Sequence, residues 1–252
     1  MKKYIIIACC LIALSAQSQK KYTSTNTHSH NDYEQAEPFT LAYQHRFGSI
    51  EADIWLKNGN IYVAHDEKDI QSSRTLSALY LDPINNILKS GKDIYPDHQS
   101  LQLLIDIKTE ALSTLEALIT LLKNYPSIIR NKKIIIAVSG NRPTPDQYSS
   151  YPSFIYFDGR PSEIYDKNAL KKVALISEAF YKFSLWKGEG SMKEEEKNKM
   201  LEVVERSHQL KKPFRFWATP DTKEAWKMLM EVQTDFINTD HIEALSNFIN
   251  QH

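Results

Sequence analysis

Residues 49–66 read SIEADIWLKNGNIYVAHD. The first half alternates as a β-strand does, with Ile50, Ala52 and Ile54 on one face and Glu51, Asp53 and Trp55 on the other. Glu51 and Asp53 therefore project side by side. Two carboxylates held that close repel, and both ionise cheaply only when a cation lies between them. The stretch closes on a second polar pair, His65-Asp66. The plain alternative is an exposed antiparallel edge with its polar side chains in water, so the rest of the chain has to decide.

Outward from this stretch, short apolar runs alternate with helical patterns. Strands are expected at 25–30, 49–55, 101–108, 133–139, 154–158, 173–177, 214–218 and 236–238. Helices are expected near 39–45, 76–88, 112–122, 194–210, 222–230 and 242–249. Runs such as LQLLIDIK and KKIIIAVSG are almost continuously apolar, as parallel strands buried on both faces are. Eight strands interleaved with helices make an α/β chain of the (β/α)8 TIM-barrel kind. The rival, an open doubly wound sheet, would carry a Gly-rich phosphate turn after its first strand, and none is present.

The 252 residues suit one barrel domain over residues 20–252. With 31 basic and 31 acidic residues the chain carries no net charge, which argues against a nucleic-acid partner. Residues 1–19 read as a signal peptide: Met1-Lys2-Lys3 is basic, 4–14 is apolar and 15–19 is small and polar. The apolar run of 11 residues is too short for a bilayer span, which needs ~20. Both cysteines, Cys9 and Cys10, fall inside it, so the mature chain would hold neither a disulfide nor a thiol nucleophile. An exported protein, periplasmic or extracellular, with no transmembrane span in its mature form, is the expectation.

Barrel enzymes keep their chemistry at the C-terminal ends of the strands, and each such end here is polar. Glu51, Asp53 and Asp106 come from neighbouring strands and offer hard oxygen ligands suited to Mg2+ or Ca2+. His30 and His65 flank them, and two imidazoles can serve as base and acid in one displacement. Lys108, with Arg142 and Arg160, could hold an anionic oxygen, and Trp217 could shape the pocket. Metal, paired histidines and a cation together describe attack on a phosphodiester. The bland readings are an Asp106–Lys108 ion pair, arginines that tie loops together and a Trp217 that only packs.

The set His30, Glu51-Ala52-Asp53, Val63-Ala64-His65-Asp66 and Asp106-Ile107-Lys108 resembles the glycerophosphodiester phosphodiesterase and phosphatidylinositol phospholipase C superfamily. HSHNDY, TLSALYLDPI, LLIDIKTE, VSGNRP, FDGR, RFWATPD and INTD resemble more narrowly its branch named after Altered inheritance of mitochondria protein 6. The resemblance implies a TIM barrel, a divalent cation on Glu51, Asp53 and Asp106, His30 and His65 as base and acid, and a small phosphodiester substrate, lipid-derived ones included. In the glycerophosphodiesterases a hydroxyl of the substrate's glycerol is thought to attack first, giving a cyclic phosphate that water opens. The family's His-Arg-Gly is His30-Asn31-Asp32 here, and Asp106 stands where many relatives have Glu.

Three functions fit these residues. The first is a secreted metal-dependent phosphoric diester hydrolase. The second is a barrel that binds phosphorylated headgroups or sugars without turning them over. The third is a zinc amidohydrolase using His28 and His30 as a ligand pair.

Overall fold

The computed structural model describes residues 20–251, and the expected signal peptide at 1–19 lies outside them. Eight parallel strands form the barrel: β1 (Thr27–Ser29), β2 (Ser49–Lys57), β4 (Leu101–Ile107), β5 (Ile134–Gly140), β6 (Ile155–Gly159), β7 (Val173–Ala179), β8 (Phe214–Trp217) and β9 (Ile237–Thr239). They pair in the order β8-β7-β6-β5-β4-β2-β1-β9. Each expected strand is present. A further strand, β3 (Asn60–Val63), folds back antiparallel on β2 through Asn58 and Gly59, both at positive φ. It carries His65 back to the barrel mouth.

The barrel is nearly closed. β8 and β9 touch through one bridge, Arg215 to Phe236. Asp235 holds that seam: its carboxylate accepts from the Phe214 amide at 2.7 Å and from His208 at 2.7 Å. Lys20 pairs with its other oxygen at 2.5 Å.

Outside the strands pack α1 (Thr40–Gln44), α2 (Asp82–Lys89), α3 (Ala111–Leu122), α4 (Pro126–Ile129), α5 (Lys167–Lys171), α6 (Glu194–Gln209), α7 (Lys223–Glu231) and α8 (Ile242–Gln251). The helix expected at 76–88 opens with a π turn over Ser77–Leu81 before α2, because Pro83 has no N–H to give the turn above it. Glu110 caps α3 by accepting from the Leu112 and Ser113 amides.

Two cores result from the strand alternation. Ile50, Ala52 and Ile54 join the large cluster between strands and helices. A separate small cluster, Leu104, Ala137 and Leu175, plugs the barrel interior. In register, Glu51 lies beside Leu104 and Leu104 beside Ala137. Two residues further along, Asp53, Asp106 and Ser139 line up the same way. An apolar floor thus carries a polar layer at the C-terminal end of the strands. Truncating Leu104 in that floor would cost about 2–5 kcal/mol.

Candidate active site

The three carboxylates meet. Glu51, Asp53 and Asp106 each offer an oxygen within 4.8 Å of the others, and among the described residues they are the group with metal-ligand spacing. Oxygens facing each other across one Ca2+ stand up to about 5 Å apart, so a single ion can reach all three. Asp53 Oδ1 is buried with no hydrogen-bond partner among the described residues. A buried carboxylate oxygen left without a partner is costly, and a cation would satisfy it. The donor set is oxygen throughout, which fits a hard divalent ion.

Electrostatics separate the three acids. Burial would lift the Glu51 carboxyl, but the Arg215 guanidinium and the His28 hydrogen bond hold it well below the usual range. Arg215 Nη1 lies 2.8 Å from Glu51 Oε2, and His28 Nε2 lies 2.7 Å from it. Asp53 has no such arginine. Burial, then the Glu51 charge, pushes it up to about 7 against the pull of Lys108. Asp106 is raised by the same two causes in the same order. Lys108 Nζ sits 2.9 Å from both Asp53 Oδ2 and Asp106 Oδ1. The expected Asp106–Lys108 pair therefore exists and belongs to the site.

Gly140 shapes the same corner. At φ +67 it accepts a backbone turn that side chains disfavour, and a Cβ there would lie 2.5 Å from Asp106 Oδ1.

The two histidines stand on either side. His30 gives its Nδ1 to Asp240 Oδ1 at 2.8 Å, which leaves Nε2 for a substrate. Burial would lower its pKa, yet the Asp240 hydrogen bond and the Glu51 charge together raise it above the ordinary value. His65 is half exposed, with Nδ1 3.2 Å from Tyr33 Oη and 3.7 Å from Asp53 Oδ2. Tyr33 in turn donates to Asp53 Oδ2 at 2.7 Å. Tyr33 thus ties one histidine to one carboxylate.

The turn that delivers Tyr33 explains the departure at His30-Asn31-Asp32. Asn31 adopts the left-handed conformation at φ 46, which Asn tolerates better than most residues. Asp32 accepts from Ser29 Oγ, the Phe39 amide and Tyr80 Oη, locking the turn beneath Tyr33. Among the described residues, the one guanidinium that reaches the acid trio comes from β8, where Arg215 pairs with Glu51.

Other expected residues have partners of their own. Arg142 is buried against Glu163 Oε1 at 3.0 Å and the Tyr148 hydroxyl, so it braces the loops after β5 and β6. Arg160 pairs with the fully buried Asp158 at 2.9 Å, and that carboxylate also accepts from Ser139 and Ser177. Trp217 packs edge-on against Tyr181 at 5.7 Å. His28 is fully buried, with Nδ1 2.8 Å from Ser49 Oγ and Nε2 on Glu51. With both nitrogens used, it cannot form a zinc pair with His30. Burial, then Arg215, lowers its pKa to about 4, so the ring is neutral and orients Glu51.

Arg215, Tyr33 and Asp240 were not singled out from the sequence. The signal for Arg215 was the alternation of Arg215 and Trp217 on β8, which turns both to one face.

The profile of the AIM6-like phosphodiesterase domain matches residues 17–146. Altered inheritance of mitochondria protein 6 of Eremothecium gossypii is 28% identical over 273 residues, covering 89% of this chain and 69% of that protein. The homolog from Arthroderma benhamiae is 25% identical, covering 88% and 82%. Among solved structures, a glycerophosphodiester phosphodiesterase from Parabacteroides distasonis superposes with a TM-score of 0.57 at 15% identity, over 90% of this chain and 97% of that one. A calcium-dependent phosphoinositol-specific phospholipase C from Pseudomonas sp. gives 0.55 at 11% identity, over 90% and 93%. These likenesses identify the barrel as the one those phosphodiesterases are built on. With its profile spanning more than half of the residues, the chain belongs to the family of AIM6-like phosphodiesterase domains.

Proposed function

We propose that this protein is a divalent-cation-dependent phosphoric diester hydrolase acting on a small phosphodiester. The observation that carries the reading is the acid trio, with its unpartnered Asp53 oxygen, set between His30 and His65. Mg2+ or Ca2+ on Glu51, Asp53 and Asp106 would neutralise charge on the non-bridging phosphate oxygens. The chain's own residues do the rest. Asp240 orients His30, and Tyr33 orients His65, so that each keeps Nε2 for the reaction. One imidazole takes the proton of the attacking hydroxyl, and the other returns a proton to the departing alkoxide. Lys108, already poised between two carboxylates, supplies positive charge toward the phosphate. Arg215 keeps Glu51 ionised. Trp217 walls the mouth.

Purified protein is expected to cleave bis-p-nitrophenyl phosphate or a glycerophosphodiester, with EDTA stopping the reaction and added cation restoring it. Tight binding of phosphorylated headgroups with no turnover across a phosphodiester panel would replace this reading with the non-catalytic barrel. Export through the 1–19 segment is part of the proposal. Among the described residues no helix is long and apolar enough to cross a membrane. Cell fractionation tests the export, and retention of the full-length chain in the cytoplasm would reject it.

A further inference from the structure

The ion pair that aims the His30 imidazole stands near the surface, with the His30 side chain 32% and the Asp240 side chain 50% exposed. Exposed pairs of this kind are worth little, because two side chains must be held in one geometry against water and thermal motion. Something else has to fix this one. Both backbone groups of Asp240 are taken: its amide donates to Asp221 Oδ2 at 2.8 Å, and its carbonyl accepts from Gln35 Nε2 at 2.9 Å. The Thr239 hydroxyl donates to the same Asp221 oxygen at 3.0 Å, and the Thr239 carbonyl accepts from the His30 amide at 3.0 Å.

Asp221 is itself anchored. Its Oδ1 accepts from the Trp226 indole at 2.8 Å, and the buried Trp226 ring packs on Phe248 of α8 at 5.4 Å. Three residues before Asp221, Ala218 turns the chain at φ 53, a left-handed conformation that alanine disfavours. Such a turn persists only where its surroundings hold it. Asp221 therefore laces the C-terminal side of a seam that β8 and β9 close through one bridge, as Asp235 laces the other side. The two aspartates differ in what they fasten. Asp235 holds Phe214 at the start of β8, whereas Asp221 holds the residue that carries the partner of His30.

Asp221, Asp240 and His30 line one hollow of about 70 Å³. The two carboxylate oxygens of Asp221 are nevertheless spent on Trp226, Thr239 and Asp240, so its action on the imidazole is indirect. We propose that Asp221 is a positioning residue for His30, acting through the backbone of Asp240, with Gln35 as its counterpart from the turn after β1. Together they keep the Asp240 carboxylate under Nδ1–H and leave Nε2 bare toward the mouth. The inference rests on the phosphodiesterase reading for what His30 does, and on the chain of contacts alone for how His30 is held.

Imidazole 15N spectra of the full chain, taken in alkaline buffer where the ring is neutral, test the hold without needing turnover. The His30 signals are those lost in His30→Ala. The wild-type ring is expected in one tautomer, protonated at Nδ1. In Asp221→Ala the separation between its two nitrogen signals should shrink as the tautomers mix, and Gln35→Ala should move them in the same direction. Leu118→Ala, in the core of α3 behind β2 and β4, should lower the melting temperature and leave the His30 signals in place. On bis-p-nitrophenyl phosphate, Asp221→Ala should lower kcat by about 10–10²-fold with KM held, the cost of a misplaced catalytic group, and Leu118→Ala should keep the wild-type kcat.

If Asp221→Ala does not fold, Gln35→Ala decides by the same spectra. Mixed tautomers in the wild-type ring, a ring indifferent to both substitutions, or equal mixing in Leu118→Ala would overturn the proposal. A wild-type kcat in folded Asp221→Ala would sink the positioning and leave the phosphodiesterase reading standing. The expected spectra with no cleavage of any phosphodiester would uphold the hold on His30 and sink the reaction.

Discussion

Arg215 Nη1 lies 2.8 Å from Glu51 Oε2, both side chains being almost wholly buried at the mouth of the barrel. The pair joins β8 to β2 across the interior, and it leaves Glu51 charged where its neighbour Asp53 is pushed up to about 7. Arg215 therefore holds Glu51 in its ionised form, while burial and that same Glu51 charge favour the protonated form of Asp53.

Arg215→Ala should unfold early. Removing one partner of a buried ion pair costs about 3–5 kcal/mol because the other charge stays buried. Arg215→Lys should recover only part of this, since an ammonium lacks the guanidinium fork. Urea melts of the two variants check it, and a wild-type midpoint for the alanine variant would contradict the buried pair.

Cation binding should depend on pH through Asp53. Its folded pKa, about 7, is above the ordinary carboxyl value, so the folded cation-free protein holds a proton the unfolded chain has lost. Asp53's contribution to stability is thus present at low pH and lost as pH rises from about 4 through about 7. A cation must displace that proton. Calcium or magnesium should accordingly raise the melting temperature more at pH 8 than at pH 5.5, and Asp53→Asn should remove the difference. Equal shifts at both pH values would refute the coupling.

His30→Ala should lower kcat about 10²–10⁴-fold while the melting temperature holds. Asp240→Asn should act through the imidazole. With the hydrogen bond and charge that raise the His30 pKa reduced, the corresponding limb of the pH–rate profile should move to lower pH. A profile unchanged by Asp240→Asn would detach this carboxylate from the mechanism.

Gly140→Ala and Gly59→Ala share a backbone conformation and differ in what the new side chain meets. Both glycines have positive φ, at +67 and +77, so each variant carries a backbone cost of about 1–2 kcal/mol. At Gly140 the new Cβ meets Asp106 Oδ1 and the Ile107 carbonyl oxygen, each at 2.5 Å, so this variant also loses stability, while nothing lies within 4 Å at Gly59. Cation affinity should therefore fall in the first variant and persist in the second, read by calorimetric titration.

Much of the barrel was legible because burial on both faces makes parallel strands apolar, and runs such as Leu101–Ile107 and Ile134–Gly140 show it directly. The acid trio was legible for a related reason. A carboxylate in such a run, as Asp106 is, is costly to bury without a partner, and Lys108 was the one local partner the run offered. The β3 hairpin was not legible, since four residues carry too short a pattern to fix a pairing partner. The arginines show the limit from the other side. Arg142 and Arg160 sat at strand ends as a phosphate ligand would, yet nearby Glu163 and Asp158 take their charge.

By itself the chain's order of residues determined the eight barrel strands, the alternation that turns Glu51 and Asp53 inward, and the histidines at strand ends. These depend on periods of two residues and on local turn chemistry, which a linear pattern records. Only the closed barrel decided that Arg215, 164 positions from Glu51, would neutralise it, that Asp240 would hold His30, and that Tyr33 would join His65 to Asp53. Those contacts have no period and no fixed spacing. The first two arise because curling the sheet brings β8 and β9 back beside β1 and β2, and the third because the turn after β1 and the β3 hairpin meet over β2.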